Sequence, residues 1–329
     1  MPTAAQYISP VISASYCVIY NPSAGRGRAA RLVEQFRRAR RDVELRPIPG
    51  VGQGTDVARQ ALADGIRRLI AAGGDGTVHE VANGILESRA FDAEFGVWPI
   101  GSANDYAYAL GVHGNWPLRL GDAPRLNVET VDVGVVSGGG RRRYFVNGLG
   151  LGFNSAVTLE AHSIGRLRGI PVERTLTYIG RLRGMALYGA AFLRALHRHF
   201  ELWPLVVTVD DRRWDEPTLA LTVNLGTREG GFRVTPQADL SDGYFNVIHV
   251  GDLSRTAALS MLPRIAVGKL PEAHPHIHQV LSRQVTVRSD RPLRVHTDGE
   301  FFCQPADGIC ELKAELLPAR LRVLVPAHD

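Results

Sequence analysis

Cysteine, methionine and lysine are all scarce in this chain of 329 residues: 3 cysteines, 3 methionines, and lysine only at Lys269 and Lys313. Cys17, Cys303 and Cys310 are too few and too irregularly spaced to frame a disulfide scaffold or a zinc site. No G-x-x-x-x-G-K-[ST] segment occurs and both lysines lie far downstream, which excludes a P-loop NTPase. Nothing approaches the run of about 18 apolar residues that a membrane span needs. The N-terminus has no basic stretch ahead of an apolar core, so a cytoplasmic protein is expected. Hydrophobic residues make up 45% and charged residues 22%, which excludes a disordered or fibrous chain. Single cores stop growing at about 250–300 residues, so two domains are expected.

Charge is unevenly placed. Between residues 141 and 200 stand ten arginines (Arg141, Arg142, Arg143, Arg166, Arg168, Arg174, Arg181, Arg183, Arg194, Arg198), opposed only by Glu160 and Glu173. The stretch therefore carries a local charge of +8 in a chain of net charge +5. Such a block suggests an anionic partner, either a membrane surface or a nucleic acid.

The first third alternates strand and helix patterns. Tyr16–Tyr20, Val43–Leu45, Arg68–Ala72 and Phe95–Ile100 read as buried strands. Helical spacing covers Arg28–Arg40, a stretch from Thr55, taken as a cap, to about Asp64, and Val78–Leu86. This βα repetition predicts a parallel sheet with helices over residues 11–128, joined by a C-terminal strand within 318–329. Residues 129–317 instead show short strand patterns in succession, which predicts a mainly antiparallel β-sandwich. One long helical pattern, Thr175–Phe200, interrupts them. Ile179, Leu182, Ala186, Gly189, Leu193, Leu196 and Phe200 would form its apolar line, with arginines beside it.

Three turns rich in glycine or small polar residues follow three of the strand patterns. Parallel strands end where backbone N–H groups and helix N-termini point outward, a natural seat for phosphate. The most informative is Gly73-Gly74-Asp75-Gly76-Thr77, with a carboxylate and a hydroxyl among the glycines. Gly25-Arg26-Gly27-Arg28-Ala29-Ala30 satisfies the dinucleotide fingerprint G-x-G-x-x-A. The second strand, however, ends in Arg46-Pro47 where an acidic residue should hold a ribose, so a dehydrogenase is a weak reading. His274, His276 and His278 form H-x-H-x-H; on an extended segment they would share a face and could bind a transition metal, although an exposed His-Pro loop is the simpler account. Trp98, Trp116, Trp203 and Trp214 read as core or edge residues.

Asn21-Pro22-Ser23-Ala24-Gly25, Gly73–Thr77 and Pro99-Ile100-Gly101-Ser102-Ala103-Asn104-Asp105 together resemble the diacylglycerol kinase catalytic-domain family, nearest its soluble bacterial lipid kinases. Asn147–Phe153, Ala238–Gly243 and Asp298-Gly299-Glu300 resemble that family's landmarks in the second domain. The resemblance implies a fold like that of NAD kinases and lipid kinases. It also implies an ATP site made of Asn21, Pro22, Ser23, Gly25, Thr55, Gly73, Gly74, Asp75, Gly76, Thr77, Glu80, Gly101, Ser102, Asn104 and Asp105. Ser102 stands where the family more often has Thr, and His79 where it has Asn. Pro47-Ile48-Pro49 occupies the place of a phosphate-binding Thr, for which Thr55 is the substitute. A magnesium loop is implied at Asp239, Asp242 and the Tyr244 carbonyl. The general base would be Glu300, then Asp298, with Asp75 the other candidate for base or metal ligand.

The expected activity is ATP-dependent phosphorylation of a lipid hydroxyl, foremost diacylglycerol giving phosphatidic acid, with Mg2+. The lipid would be met at a membrane surface by a peripherally associated enzyme; no nucleic-acid partner is expected, and a homodimer is compatible. A sphingoid-base, ceramide or other lipid-alcohol kinase is the alternative, with an NAD kinase disfavoured. A nucleic-acid-binding module using the basic block would leave Gly73–Thr77 unexplained, and its aromatics (Tyr178, Tyr188, Phe192) fall within a helix rather than on strands.

Overall fold

Four short runs rich in β-branched, aliphatic and aromatic residues become parallel strands, each followed by a turn that leads into a helix. The computed structural model describes residues 16–40, 42–114, 116–117, 126–166, 180–271 and 273–327. In chain order the first unit is β1 (Tyr16–Tyr20), α1 (Ala24–Ala39), β2 (Val43–Pro47), α2 (Gly54–Ala63), β3 (Arg68–Gly73), α3 (Asp75–Glu87), β4 (Glu94–Pro99) and the short α4 (Asp105–Ala109). Strands β2, β1, β3 and β4 pair in that order, all parallel. The order turns back on itself between β1 and β3, and ligands of open α/β sheets bind outside the strand ends at such a switch.

The core beneath it is dense. Trp98, Phe36, Ile19, Leu69 and Ile70 are fully buried. Phe36 meets Trp98 edge to face at 5.8 Å between centroids, an arrangement that adds about 0.5–1.5 kcal/mol to burial alone. Cys17 lies in this core as an inert thiol; burial pushes its pKa up to about 12.

Strands β5 (Leu126–Gly138), β6 (Arg141–Phe145), β8 (Trp203–Val209), β9 (Arg212–Thr218), β13 (Gln284–Ser289) and β16 (Glu311–Pro326) extend the same sheet to ten strands. Strand β16 is the splice. Its first part runs antiparallel to β13, its end lies parallel to β4 through Arg322–Leu324, and β5 covers its other edge. The two predicted domains thus share one sheet. A second sheet, in the order β12-β11-β10-β7-β14-β15, is antiparallel: β7 (Gly148–Gly152), β10 (Ala220–Asn224), β11 (Phe245–Val250), β12 (Ile277–Ser282), β14 (Val295–Thr297) and β15 (Glu300–Cys303). The expected α/β and β-sandwich classes are therefore both present.

Helices in the second half are more numerous than expected. Besides α6 (Gly180–Arg198), the described part of the expected Thr175–Phe200 helix, there are α5 (Phe153–Arg166) and α7 (Arg255–Ala266). The expected apolar line of α6 is also rotated. Ala191 and Ala195 are fully buried, while Leu193 is 51% exposed and Ala186 is exposed. Leu196 and Phe200 of that line do pack against the core, but the fully buried positions are alanines, which let α6 approach closely.

The described arginines of the basic block are engaged within the protein. Arg141 pairs with Asp307, Arg142 lies over the Tyr144 ring, and Arg143 donates to the Phe301 carbonyl at 2.7 Å. Arg194 and Arg198 both pair with the buried Glu160 of α5, at 2.8 and 3.7 Å. Arg168, Arg174 and Tyr178 lie outside the described residues, as do the side chains of Arg166, Arg181 and Arg183.

The three histidines of H-x-H-x-H do not share a face. His274 Nδ1 accepts from the His276 N–H at 3.1 Å in a turn, and only His278 enters strand β12. His278 instead sits beside His249 of β11, with Trp214 of β9 stacked on both at 5.5 and 5.0 Å. Burial, with His278 as a smaller cause, pushes His249 down to about 4, so its ring is neutral.

Candidate active site

The three turns converge at the carboxyl ends of β1, β3 and β4. In the first, Asn21 Oδ1 accepts from the Ser23 N–H at 3.0 Å and the Ser23 hydroxyl at 2.7 Å, closing an Asx turn. Gly25, Arg26 and Gly27 then take left-handed conformations in succession before α1 proper begins. That irregular turn is unlike the tight bend of a dinucleotide fingerprint.

The second and third turns are bolted together. Gly101 N–H donates to the Gly73 carbonyl at 3.0 Å, and a Cβ on Gly101 would stand 2.4 Å from the Gly74 Cα. Glycine is required at this contact because two backbones touch. Asp75, the first residue of α3, accepts from the N–H groups of Asn104 and Asp105 at 2.9 and 2.8 Å. Asn104 is left-handed, and its amide closes the turn onto both backbone groups of Gly101. Ser102 is exposed. The α3 N-terminus, whose first amides lack intrahelical partners, opens here beside Gly76 and Thr77.

Asp105 takes the Gly231 N–H at 3.0 Å from the second domain. Burial first, then the neighbouring Asp75 charge, pushes Asp105 well above the usual carboxylate range; burial raises Asp75 as well. Two carboxyl groups in this conflict fit a site that receives a cation, which would relieve it.

Glu80 and Thr55 serve the loop instead. Both Glu80 carboxylate oxygens accept from loop N–H groups, Gly52 at 2.9 Å and Gly54 at 2.6 Å, and its carbonyl takes the Thr55 hydroxyl at 3.0 Å. Gln53, not Thr55, stands at the cap of α2. These residues shape the loop after β2 and leave little side-chain capacity for a nucleotide.

Asp298 is also a fastener. Left-handed at φ 52°, its carboxylate accepts from the N–H groups of Val146, Asn147 and Gly148 at 3.0, 2.8 and 3.0 Å and meets His79 Nδ1 at 2.8 Å. Four partners occupy the lone-pair positions of its two oxygens. His79, standing for the family's Asn, thereby ties α3 to the turn between β14 and β15. Glu300, two residues on, has no hydrogen bond among the described residues, and its Oε1 lies 3.2 Å from where a Gly76 Cβ would be. It is the unengaged carboxylate over the start of α3.

A cavity of about 200 Å³ opens from this point. Its polar neck holds Asp75, Asp105, Glu229, His296 and Asp298, and its far wall is Phe192, Ile248, Leu262 and Ile265 from α6, α7 and the second sheet, with Leu270 beyond α7. Several neck residues carry no motif in the sequence. Asn154 of α5 donates to Glu229 at 2.9 Å and to Thr222 at 2.7 Å, and its oxygen faces His296 Nε2 at 2.8 Å. Burial raises Glu229 to about 7 and lowers His296 to about 4. Their positions come from different elements, so only the fold brings them together.

The expected magnesium loop lies away from the neck. Asp239 Oδ1 accepts from the N–H and hydroxyl of Ser241, and Asp242 Oδ1 accepts from the Tyr244 N–H. Burial, then Asp239 and Asp132, raises Asp242. That mutual repulsion fits a divalent cation held by Asp239, Asp242 and the Tyr244 carbonyl. Asp132, without a sequence signal, ties this loop to the bulge in β16 by accepting from Gly243 and Ala319 N–H groups, each at 2.7 Å.

Comparison with known proteins extends over the same two halves. Residues 15–136 match the diacylglycerol kinase catalytic domain, and residues 171–325 match the YegS C-terminal NAD kinase beta sandwich-like domain. The chain is similar to a diacylglycerol kinase of Bacillus subtilis, 28% identical over 297 residues that cover 86% of this chain and 89% of the relative. A protein of Pseudomonas aeruginosa named "Probable lipid kinase YegS-like" is 30% identical over 323 residues, 94% of this chain and 93% of the relative. The crystal structure of a diacylglycerol kinase from Bacillus anthracis superposes with a TM-score of 0.65 at 20% identity, covering 94% of this chain and 96% of that one.

Proposed function

Since the chain belongs to the diacylglycerol kinase catalytic-domain family and is a lipid kinase, we propose that it transfers the γ-phosphoryl group of ATP to the hydroxyl of diacylglycerol. The observation that carries this reading is the cavity: polar at the converged turns, apolar along the rest, it suits one amphiphile with its hydroxyl at the nucleotide end.

The roles follow from what each side chain already holds. Backbone amides at Gly73–Thr77 and Gly101–Asp105 would receive the phosphates, with Asp75 fixing one turn against the other. Glu300, whose carboxylate has no competing hydrogen bond among the described residues, takes the proton of the attacking hydroxyl. The hydroxyl oxygen bonds to the γ-phosphorus while the bond to the β–γ bridging oxygen breaks, giving phosphatidic acid and ADP. Asp298 and His79 hold the turn that presents Glu300. Magnesium bound with the nucleotide would offset the charge gathered by Asp75, Asp105 and the phosphates, and the Asp239–Tyr244 loop would hold a second ion that orders the fold.

Access to a bilayer has its own support. Leu193 on α6 and Leu259 on α7 are 51% and 44% exposed, and both helices wall the cavity. Val267, just beyond α7, is 56% exposed. Exposed apolar side chains on the helices that wall the cavity suit docking on a lipid surface. No helix among the described residues is long and apolar enough to cross a membrane.

A labelled-ATP assay with magnesium and mixed micelles of diacylglycerol, monoacylglycerol, ceramide or sphingosine, with NAD as a soluble control, tests the reading. Label in phosphatidic acid supports it. Exclusive label in a sphingoid base or in NAD overturns the choice of acceptor.

A further inference from the structure

We propose that His249, His278 and Glu216 form a binding site for a divalent first-row transition ion, zinc foremost, between the two sheets and apart from the nucleotide site. His249 and His278 are register neighbours on β11 and β12, and Glu216 reaches them from β9 of the other sheet. Among the described residues this is the one group of three metal-ligating His, Cys, Asp or Glu side chains whose ligand atoms all lie within 4.8 Å of one another.

The hydrogen bonds set the donor atom. The Thr218 hydroxyl lies 3.1 Å from the Glu216 carbonyl and 2.9 Å from His249 Nε2, so Nε2 is already engaged in a hydrogen bond. With Nε2 held by Thr218, Nδ1 is the ring nitrogen left to bind an ion. That Nδ1 is buried, has no hydrogen-bond partner and faces Glu216 Oε1 at 3.8 Å. A cation between this nitrogen and the carboxylate would give both a partner. His278 Nε2 lies 3.9 Å from the same oxygen. Around an ion with bonds of about 2.1 Å, ligand atoms stand about 3.0–3.5 Å apart. Glu216, 37% exposed, has the freedom to close that gap.

Donor chemistry narrows the ion. Two imidazoles and one carboxylate suit zinc and its neighbours, whereas calcium and magnesium take all-oxygen sets. Thr218, which orients the non-ligating nitrogen of His249, is the kind of outer partner that metal-bound histidines carry. The ion would pin β9 to β11 and β12. Ile248, Val250 and Ile277 on those two strands line the cavity from the opposite face, so binding would stiffen the cavity wall.

Trp214 supplies the readout, because its ring stacks on both histidines. The full-length protein is stripped with a chelator, exchanged into buffer, and titrated with Zn2+ by calorimetry and with Co2+ by absorption and tryptophan fluorescence. The expected result is one ion per chain, a Co2+ d–d band, and quenching that is lost in Trp214→Phe while binding is kept. His278→Ala and Glu216→Gln, both at partly exposed positions, should weaken binding at least tenfold with the circular dichroism unchanged, and His274→Ala should leave it as it was. Absence of saturable binding overturns the proposal. Equal affinity in His278→Ala, or loss in His274→Ala, also overturns it by placing the ion on the neighbouring loop.

Discussion

Replacing Asp298 by Asn separates a fastener from a base. The carboxylate has four partners: Asn147 and Gly148 N–H on Oδ1, Val146 N–H and His79 Nδ1 on Oδ2. An asparagine keeps one acceptor oxygen, so one pair survives without its charge. The new NH2 then faces the Val146 N–H and His79. Hydrogen bonds to a charged group are worth about 1.5–3 kcal/mol each, so losing two costs about 3–6 kcal/mol, of which a tautomer change at His79 recovers about 1. The expected cost is about 4 kcal/mol, a large part of the about 5–15 kcal/mol that holds a domain folded. In urea titrations followed by tryptophan fluorescence, the midpoint should fall strongly at unchanged slope. Glu300→Gln, by contrast, removes no described hydrogen bond, so its midpoint should move by under about 0.5 kcal/mol while turnover falls about a hundredfold or more. If Asp298→Asn unfolds like wild type but has lost turnover, or Glu300→Gln remains active, the assignment of roles is refuted.

Three further outcomes follow from the geometry. Gly101→Ala would drive a Cβ into Gly74, so it should cost about 1–3 kcal/mol and weaken ATP binding measured by calorimetry. Glu229 has a folded pKa raised to about 7, so the folded state keeps a proton that the unfolded chain releases near 4.5. Its contribution to stability is therefore full below about pH 4.5 and falls by about 3 kcal/mol as pH rises to 7. Glu229→Gln should abolish that slope in denaturation curves between pH 5 and 8, and an unchanged slope would contradict the burial argument. Ala258→Phe fills the cavity between α7 and the second sheet; kcat/KM for long-chain diacylglycerol should fall about tenfold, and that for short-chain lipid much less.

What was legible in the sequence follows physical locality. The strands β1, β3 and β4 are apolar runs stopped by turn residues, and the turns that end them are contiguous, so both the fold and the convergence of the three turns could be read. Strand β7 is Gly-Leu-Gly-Leu-Gly, which carries no alternation of the usual kind. Helix α7 holds Pro263 and buries only Ala258 and Met261, so its periodicity is faint. In α6 the fully buried positions are Ala191 and Ala195, which hydrophobicity alone ranks below the exposed Leu193. The neck of the cavity is legible only in three dimensions. Glu229, Asn154 and His296 meet there from a loop, a helix and a strand, and the saturation of Asp298 depends on backbone groups that no sequence pattern reveals.

The central claim is that the converged turns and the apolar cavity form one site that joins a nucleotide to a lipid hydroxyl. Transfer of label from γ-labelled ATP to diacylglycerol in micelles, run on the wild type beside Glu300→Gln and Ala258→Phe, tests it most directly. Phosphatidic acid should be labelled by the wild type, lost with Glu300→Gln, and reduced for long chains with Ala258→Phe. Transfer that is indifferent to both substitutions would place the chemistry elsewhere and contradict the account.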